Sequence, residues 1–173
     1  AWKRLFRAHA DIIVRDDGGF NWSRLNNRGA AAGTGNLLLF LNDDIEVTSP
    51  DWLAVLAAEA ARPEVGVVGP QLLYPDGKVQ HAGMALTGTE PGRAQHLFRF
   101  AEADDPGYFG LALSQREVSC VTGACMMVRR EVFREAGGFD EAHGVVNNDV
   151  AYCLRQHVAG RRVIYPPHVR LTH

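Results

Sequence analysis

The chain alternates between solid apolar runs and amphipathic stretches. "LLLFL", Leu37 to Leu41, is apolar at every position, the pattern of a strand covered on both faces. "VGVVGPQLLY" and "SCVTGACMMVRR" read the same way, and "ADIIVRD" (Ala10 to Asp16), "RRVIYP" and "HVRLTH" read as shorter strands. Between them the apolar period lengthens. Ser23 stands where an N-cap belongs, before a helix through "RLNNRGAAAG" that Gly33 and Gly35 close. Thr48-Ser49-Pro50, with Pro50 at the first helical position, opens "DWLAVLAAEAAR", whose stripe is Trp52, Leu53, Leu56 and Ala60. "REVFREAG" is a short helix stopped at Gly137 and Gly138. "DVAYCLRQHVAG" is an amphipathic helix with Val150, Cys153, Leu154, His157 and Val158 on one side. Asp16-Asp17-Gly18-Gly19 and "YPDGKVQ" are turns, and Thr87 to Gln115 reads as a long loop. Strands and helices in alternation predict an α/β fold, a mostly parallel sheet sandwiched by helices.

Composition narrows the function classes. A chain of 173 residues, 46% hydrophobic, can bury one core, so one domain over residues 1–173 is expected. A formal charge of −2 without a basic block argues against a nucleic-acid partner. Three cysteines, Cys120, Cys125 and Cys153, show no C-x-x-C spacing, which suggests reduced core thiols and a cytoplasmic setting. No signal peptide is evident, and no apolar run reaches the ~18 residues of a membrane span. The chain opens at Ala1 without a preceding cap, which reads as an excerpt of a longer protein.

The candidate chemistry follows "LLLFL" directly, as Asn42, Asp43, Asp44 and then Glu46. In open α/β sheets, ligands bind beyond the carboxyl ends of strands. Two carboxylates about 4 Å apart repel by roughly 1 kcal/mol in water and up to ~4 kcal/mol at a partly dry surface. A bound cation turns that repulsion into ligation, and oxygen ligands suit Mg²⁺ or Mn²⁺. A solvated acidic loop capping the next helix is the competing reading. The local residues leave both open.

Longer segments carry a resemblance. "FNWSRLNNRGAAAGTGNLLLFLNDDIEVTSPDWL", "GPQLLYPDGKVQHAG", "VTGACMMVRREVFREAGGFDE" and "NNDVAYCLRQHVAGRRVIYPPHVRLTH" resemble the family 2 glycosyltransferases, inverting enzymes of the GT-A fold. The likeness runs from Phe20 onward and looks closest to the bacterial branch that builds cell-surface polysaccharides, rhamnosyltransferase-like members included. It implies a nucleotide-sugar donor, a saccharide or lipid-linked acceptor and a divalent metal, Mn²⁺ or Mg²⁺. Asn42-Asp43-Asp44 matches the family's D-x-D motif with asparagine first. By that match Asp44 ligates the metal, while Asn42 and Asp43 contact the nucleotide sugar. Asp149, in "NNDV", matches the catalytic base. His173 falls where the family often has a metal-binding histidine. Arg155 matches a frequent arginine of the same helix as the base, assigned to the nucleotide-sugar side. Gln80 and His81, in "QHAG", and Gly123, in "VTGAC", are placed on the acceptor side of the cleft.

These assignments suit the chemistry of such a transfer. The leaving diphosphate concentrates negative charge, which a cation stabilises. The attacking hydroxyl must lose a proton, which a carboxylate within hydrogen-bond reach can take, a step worth ~10² to 10⁴-fold. Each residue also has a plainer role: Asp149 as a helix cap, His173 as a terminal histidine, Arg155 as an ion-pair partner.

The sequence departs from the family in two places. The usual opening strand and the "DDGSTD"-like segment, which hold the nucleotide base, are missing. Asp16-Asp17 precedes "FNWS" and is no substitute. Ala151 replaces the acid of the family's "DVD". A GT-A fold truncated at its N-terminus, with weak or absent activity, is therefore expected. Its exposed sheet edge would invite a second copy, and the full protein could work at the inner face of a membrane. Two other readings stand beside it, a noncatalytic sugar- or nucleotide-binding remnant and a Mg²⁺-dependent nucleotidyltransferase.

Overall fold

The structure, a computed structural model, describes residues 12–87 and 94–173. Among the described residues four α-helices are formed, α1 (Trp22–Ala32), α2 (Trp52–Ala60), α3 (Arg130–Glu135) and α4 (Asn148–Val158). The strands are β1 (Leu37–Leu41), β2 (Glu46–Val47), β3 (Val65–Val68), β4 (Gln71–Leu73), β5 (Val79–His81), β6 (Met84–Leu86), β7 (Ala94–His96), β8 (Arg116–Glu117), β9 (Cys125–Arg129), β10 (Arg162–Tyr165) and β11 (Arg170–Thr172). They build a five-stranded sheet in the order β1-β9-β3-β10-β8, a four-stranded sheet β2-β11-β4-β5, and the hairpin β6-β7.

Alternate residues of the central strands feed two apolar layers. Met126 and Val128 of β9 join Leu38, Phe40, Val67 and Val163 beneath α1, α3 and α4, which contribute Ala30, Val132, Phe133, Val150, Tyr152 and Cys153. Cys125 and Met127 face the other way, with Val65, Val68 and Ile164, against Leu56 and Ala60 of α2. This is the helix-sheet-helix sandwich the pattern predicts.

The expected mostly parallel sheet is corrected. Among the described residues only β3–β10 and β4–β11 run parallel, and the other pairings are antiparallel. Apolarity on both faces reports that both faces are covered. It carries no information on strand direction. Leu38 and Phe40 of β1 enter one layer and Leu37 and Leu39 pack on the other, yet β1 runs antiparallel to β9 at the sheet edge.

Other boundaries shift for local reasons. Residues 12–16 of the expected first strand have no strand structure, and Ala10 and Asp11 lie outside the described residues. Asp16 instead pairs with Arg24 at 2.5 Å and Arg28 at 3.0 Å, tying its segment to α1. Asn21, not Ser23, caps α1: its Oδ1 accepts from the Arg24 N–H. Ser23 is buried and its hydroxyl donates to the His143 carbonyl. The second helix begins at Trp52 after Asp51, past Pro50. On α4 the buried residues are Asn148, Val150, Tyr152, Cys153 and Gln156, while Val158 is exposed. The long loop holds β7 and a short 3-10 turn at Tyr108–Gly110.

One correction positions the site. "VGVVGPQLLY" is two strands, because Gly69-Pro70 breaks it and carries the chain from the first sheet into the second. Pro166-Pro167 does the same between β10 and β11. The two chains bend side by side, β3 with β10 and β4 with β11, so the last residues run beside the turn that follows β1.

Candidate active site

Asn42 leaves β1 with its N–H donating to the Ala124 carbonyl at 2.9 Å. The turn that follows presents Asp43 and Asp44 to solvent, the Asp44 side chain 70% exposed. His173, held by its N–H on the Leu73 carbonyl, reaches this turn from β11. Its Nε2 lies 3.1 Å from Asp44 Oδ1 and 3.2 Å from Asn42 Nδ2. Gln80 stands on the other side of the ring. Its Nε2 donates to the His173 carbonyl at 3.0 Å, which turns its Oε1 toward His173 Nδ1 at 2.7 Å.

This arrangement fixes the imidazole tautomer. An amide oxygen can only accept, so His173 Nδ1 carries a proton, and in the neutral ring Nε2 is left with a lone pair. Asn42 Nδ2 can only donate, which agrees. Asp44 Oδ1 lies beside the same nitrogen, so a cation that displaced Asn42 from the lone pair could sit between them, with Gln80 orienting the ring from behind. Among the described residues no three His, Cys, Asp or Glu side chains gather as a metal site. Asp44 and His173 could offer an ion one oxygen and one nitrogen, leaving the rest of its shell to phosphate and water oxygens.

Asp149 lies at the second position of α4, not at its cap. Asn147, with φ of 62°, takes the cap position in left-handed geometry. Asp149 Oδ1 accepts from the Val150 N–H at 2.8 Å and Oδ2 from the Gly123 N–H at 3.0 Å. Gly123 has little room for a side chain: a Cβ there would meet the Trp22 ring at 3.1 Å. Trp22 itself packs on Phe40 and Phe139. Because Gly123 holds Asp149 while its neighbour Ala124 holds Asn42, one short segment links the first turn of α4 to the turn after β1.

A cavity of about 280 Å³ opens on Asp149, lined also by Met84, His96 and Asn148. Asp44 and His173 are not part of its lining. Larger cavities of about 370 and 560 Å³ beside β1 and α3, and one of about 420 Å³ between β8 and α4, touch none of the candidate residues.

Not every expected residue joins these groups. The Arg155 guanidinium donates to the Ala136 carbonyl at 3.0 Å and the Gly138 carbonyl at 2.6 Å, closing the turn after α3. Gln80, expected on the acceptor side, braces His173. His81 is fully buried, its Nδ1 3.0 Å from Nδ1 of His96, a residue the sequence reading passed over. The cysteines are free and buried, and burial pushes the Cys125 thiol up to about 12, in keeping with core thiols.

Comparison with solved structures identifies the architecture. The chain superposes over 99% of its length, with a TM-score of 0.75 and 16% identity, on a GalNAc transferase solved with UDP, GalNAc and Mn²⁺, of which it covers 34%. It also matches, at a TM-score of 0.64 and 18% identity, 42% of a mannosyltransferase from Pyrobaculum calidifontis solved with GDP-Man and Mn²⁺. The class is thus a GT-A glycosyltransferase fold. Residues 6–137 match the model of glycosyl transferase family 2, and the chain belongs to that family.

Among its relatives, an O-antigen biosynthesis protein of Myxococcus xanthus is 46% identical over 89% of the chain. An uncharacterized protein of Sinorhizobium fredii is 38% identical over 93%. An N-acetylglucosaminyl-diphospho-decaprenol L-rhamnosyltransferase of Mycobacterium tuberculosis is 27% identical over 79%. The chain spans 12%, 18% and 46% of these three relatives' lengths.

Proposed function

We propose that the chain supplies the metal and base residues of an inverting glycosyltransferase. It would move a sugar from a nucleoside-diphosphate donor to a saccharide or lipid-linked acceptor in bacterial surface-polysaccharide assembly. The observation that carries this reading is the pairing of two sites through residues 123–124. Asp44 and His173, its ring braced by Gln80, lie on one side, and Asp149, its carboxylate held by Gly123, lies on the other. The names of the Myxococcus and Mycobacterium relatives support the pathway class, and the Mn²⁺ in both solved neighbours supports the metal.

Asp44 and His173 would hold a divalent ion, whose charge would stabilise the departing diphosphate. Asn42, whose amide donates to His173 Nε2, would yield that lone pair to the ion. Asp149, its Oδ2 held by Gly123, takes the proton from the acceptor hydroxyl. No helix among the described residues is long and apolar enough to cross a membrane. A lipid-linked acceptor would be met at the membrane surface.

The test is a titration of Mn²⁺ into the full-length protein with and without UDP, dTDP or GDP, beside a transfer assay. Metal-enhanced nucleotide binding lost in Asp44→Asn, together with transfer lost in Asp149→Asn while nucleotide binding persists, is the expected result. Full transfer by Asp149→Asn would overturn the base, and metal-independent nucleotide binding would overturn the metal site.

A further inference from the structure

Two histidines meet at the Asp149 cavity, and the proposed transfer gives neither a role. His81 ends β5 wholly buried, and His96 ends β7 half-buried, lining the cavity with Asp149. Their Nδ1 atoms are 3.0 Å apart and their rings cross at 79°. One proton lies between them, and its owner can be assigned. The Gly83 N–H donates to His81 Nε2 at 3.3 Å, so that nitrogen holds a lone pair. His81 then carries its proton on Nδ1 and donates to His96 Nδ1. His96, accepting there, carries its own proton on Nε2.

The surroundings favour this neutral pair. Burial lowers the affinity of both rings for a second proton, and each is also disfavoured by a nearby cation, Arg116 for His81 and Arg99 for His96. Asp149 is close enough to pull His96 the other way. Gly83 fixes both ends of the arrangement, since its carbonyl accepts from the N–H of Leu97, next to His96, at 3.0 Å. That glycine has φ of 81°, and a Cβ there would meet Val118 at 2.6 Å.

The residue carrying that N–H donor and the one carrying the fixed carboxylate thus line one small cavity. A single alcohol could touch both, but a hydrogen bond accepted from His96 would draw electron density from the very oxygen that must attack. Two neighbouring hydroxyls fit better, one giving its proton to Asp149 and the other accepting from His96.

We propose that His96 is an acceptor-binding residue whose Nε2–H, oriented by His81, donates to the hydroxyl beside the attacking one, so that the acceptor is a saccharide carrying a vicinal diol. The inference rests on Asp149 facing the acceptor.

The test uses ¹⁵N-labelled full-length protein with a nucleoside diphosphate, Mg²⁺ and methyl glycosides of hexoses and 6-deoxyhexoses as probes. The imidazole spectra should show His81 protonated on Nδ1 and His96 on Nε2. A methyl glycoside with vicinal hydroxyls should move the His96 Nε2 signal, and its counterpart lacking one of the pair should not. His96→Gln, which keeps an N–H near the same place, should bind the probe within about threefold of the parent. His96→Phe should bind about tenfold more weakly, as for the loss of one hydrogen bond, with its melting temperature recorded as the folding control. A reversed tautomer, an unmoved His96 signal or unchanged binding by His96→Phe overturns the proposal. Those results leave the base reading standing if Asp149→Asn still abolishes transfer. Full transfer by Asp149→Asn sinks the base reading, while the glycoside shifts report on His96 independently.

Discussion

Nε2 of His173, at the end of the chain, lies 3.1 Å from Oδ1 of Asp44, just past β1. Gln80 bonds both the ring and the carbonyl of the same histidine, so the approach is braced from behind. Outer-shell partners of this kind typically change metal affinity by about 10–100-fold. Gln80→Ala should therefore weaken Mn²⁺-dependent nucleotide binding by about that factor, and His173→Ala by at least as much. Calorimetric titration of nucleoside diphosphate at fixed Mn²⁺ checks both. Equal binding by Gln80→Ala and the parent would reduce the contact to packing.

Gly123 leads to a separate prediction. A methyl group there would press on the Trp22 ring at 3.1 Å and lie 3.6 Å from the Asp149 Cβ. Gly123→Ala should lower kcat by about tenfold to a hundredfold by displacing the carboxylate. Nucleotide binding should hold. Transfer kinetics beside a nucleotide titration separate the two effects.

Arg155 should behave as a structural residue. Its guanidinium satisfies two carbonyls after α3, so Arg155→Ala should cost about 1–3 kcal/mol of stability by orphaning them. Donor KM should stay near that of the parent. Denaturant melts and a donor titration decide, and a large rise in KM at unchanged stability would restore the nucleotide-sugar role.

The histidine pair gives stability a pH dependence of definite sign. Burial above all holds both rings below the ordinary imidazole pKa in the folded chain. Unfolded, they take up protons near pH ~6.5. Between the folded and unfolded values the unfolded state binds more protons, so acid favours unfolding. Stability should be full above about pH 7 and fall below about pH 6.5, by up to about 1.4 kcal/mol per pH unit for each histidine. Asp16, held below the usual carboxylate range chiefly by its hydrogen bond from Arg24, responds only nearer pH ~4. Thermal melts from pH 7.5 to 5 should show the decline, and His96→Gln should flatten part of it. A flat profile in the parent would contradict the neutral pair.

The smaller apolar layer sets a scale for the fold. Leu56 of α2 is fully buried against the sheet, so Leu56→Ala should cost about 2–5 kcal/mol in a urea melt.

How much of this could be read from the residues depended on the kind of signal each one leaves. Asn42 to Asp44 announce themselves because acids directly after an apolar strand need a reason. The sandwich was legible because "LLLFL" and its companions are apolar on both sides. Strand direction was not, since coverage is the same whether a neighbour runs up or down. The sheet-to-sheet switches had a visible sign in Gly69-Pro70 and Pro166-Pro167, because proline cannot donate to a central ladder. Gln80 could not be assigned as the brace of His173, for that contact joins β5 to the chain end. His96 was missed inside a stretch read as loop, and its Gln-His pair, which recurs at 80–81 and 156–157, did not single it out.

The double bend at the two proline sites has a consequence for the short stretch Pro166–Val169. Successive side chains on a strand point to opposite faces, so shortening that stretch by one residue would slide β11 one place along β4. The imidazole would then point to the face Thr172 now occupies, turned from Asp44. The spacer thus acts as a ruler. Many changes of residue within it leave the reach of His173 intact, whereas a change of length by one moves the nitrogen out of range.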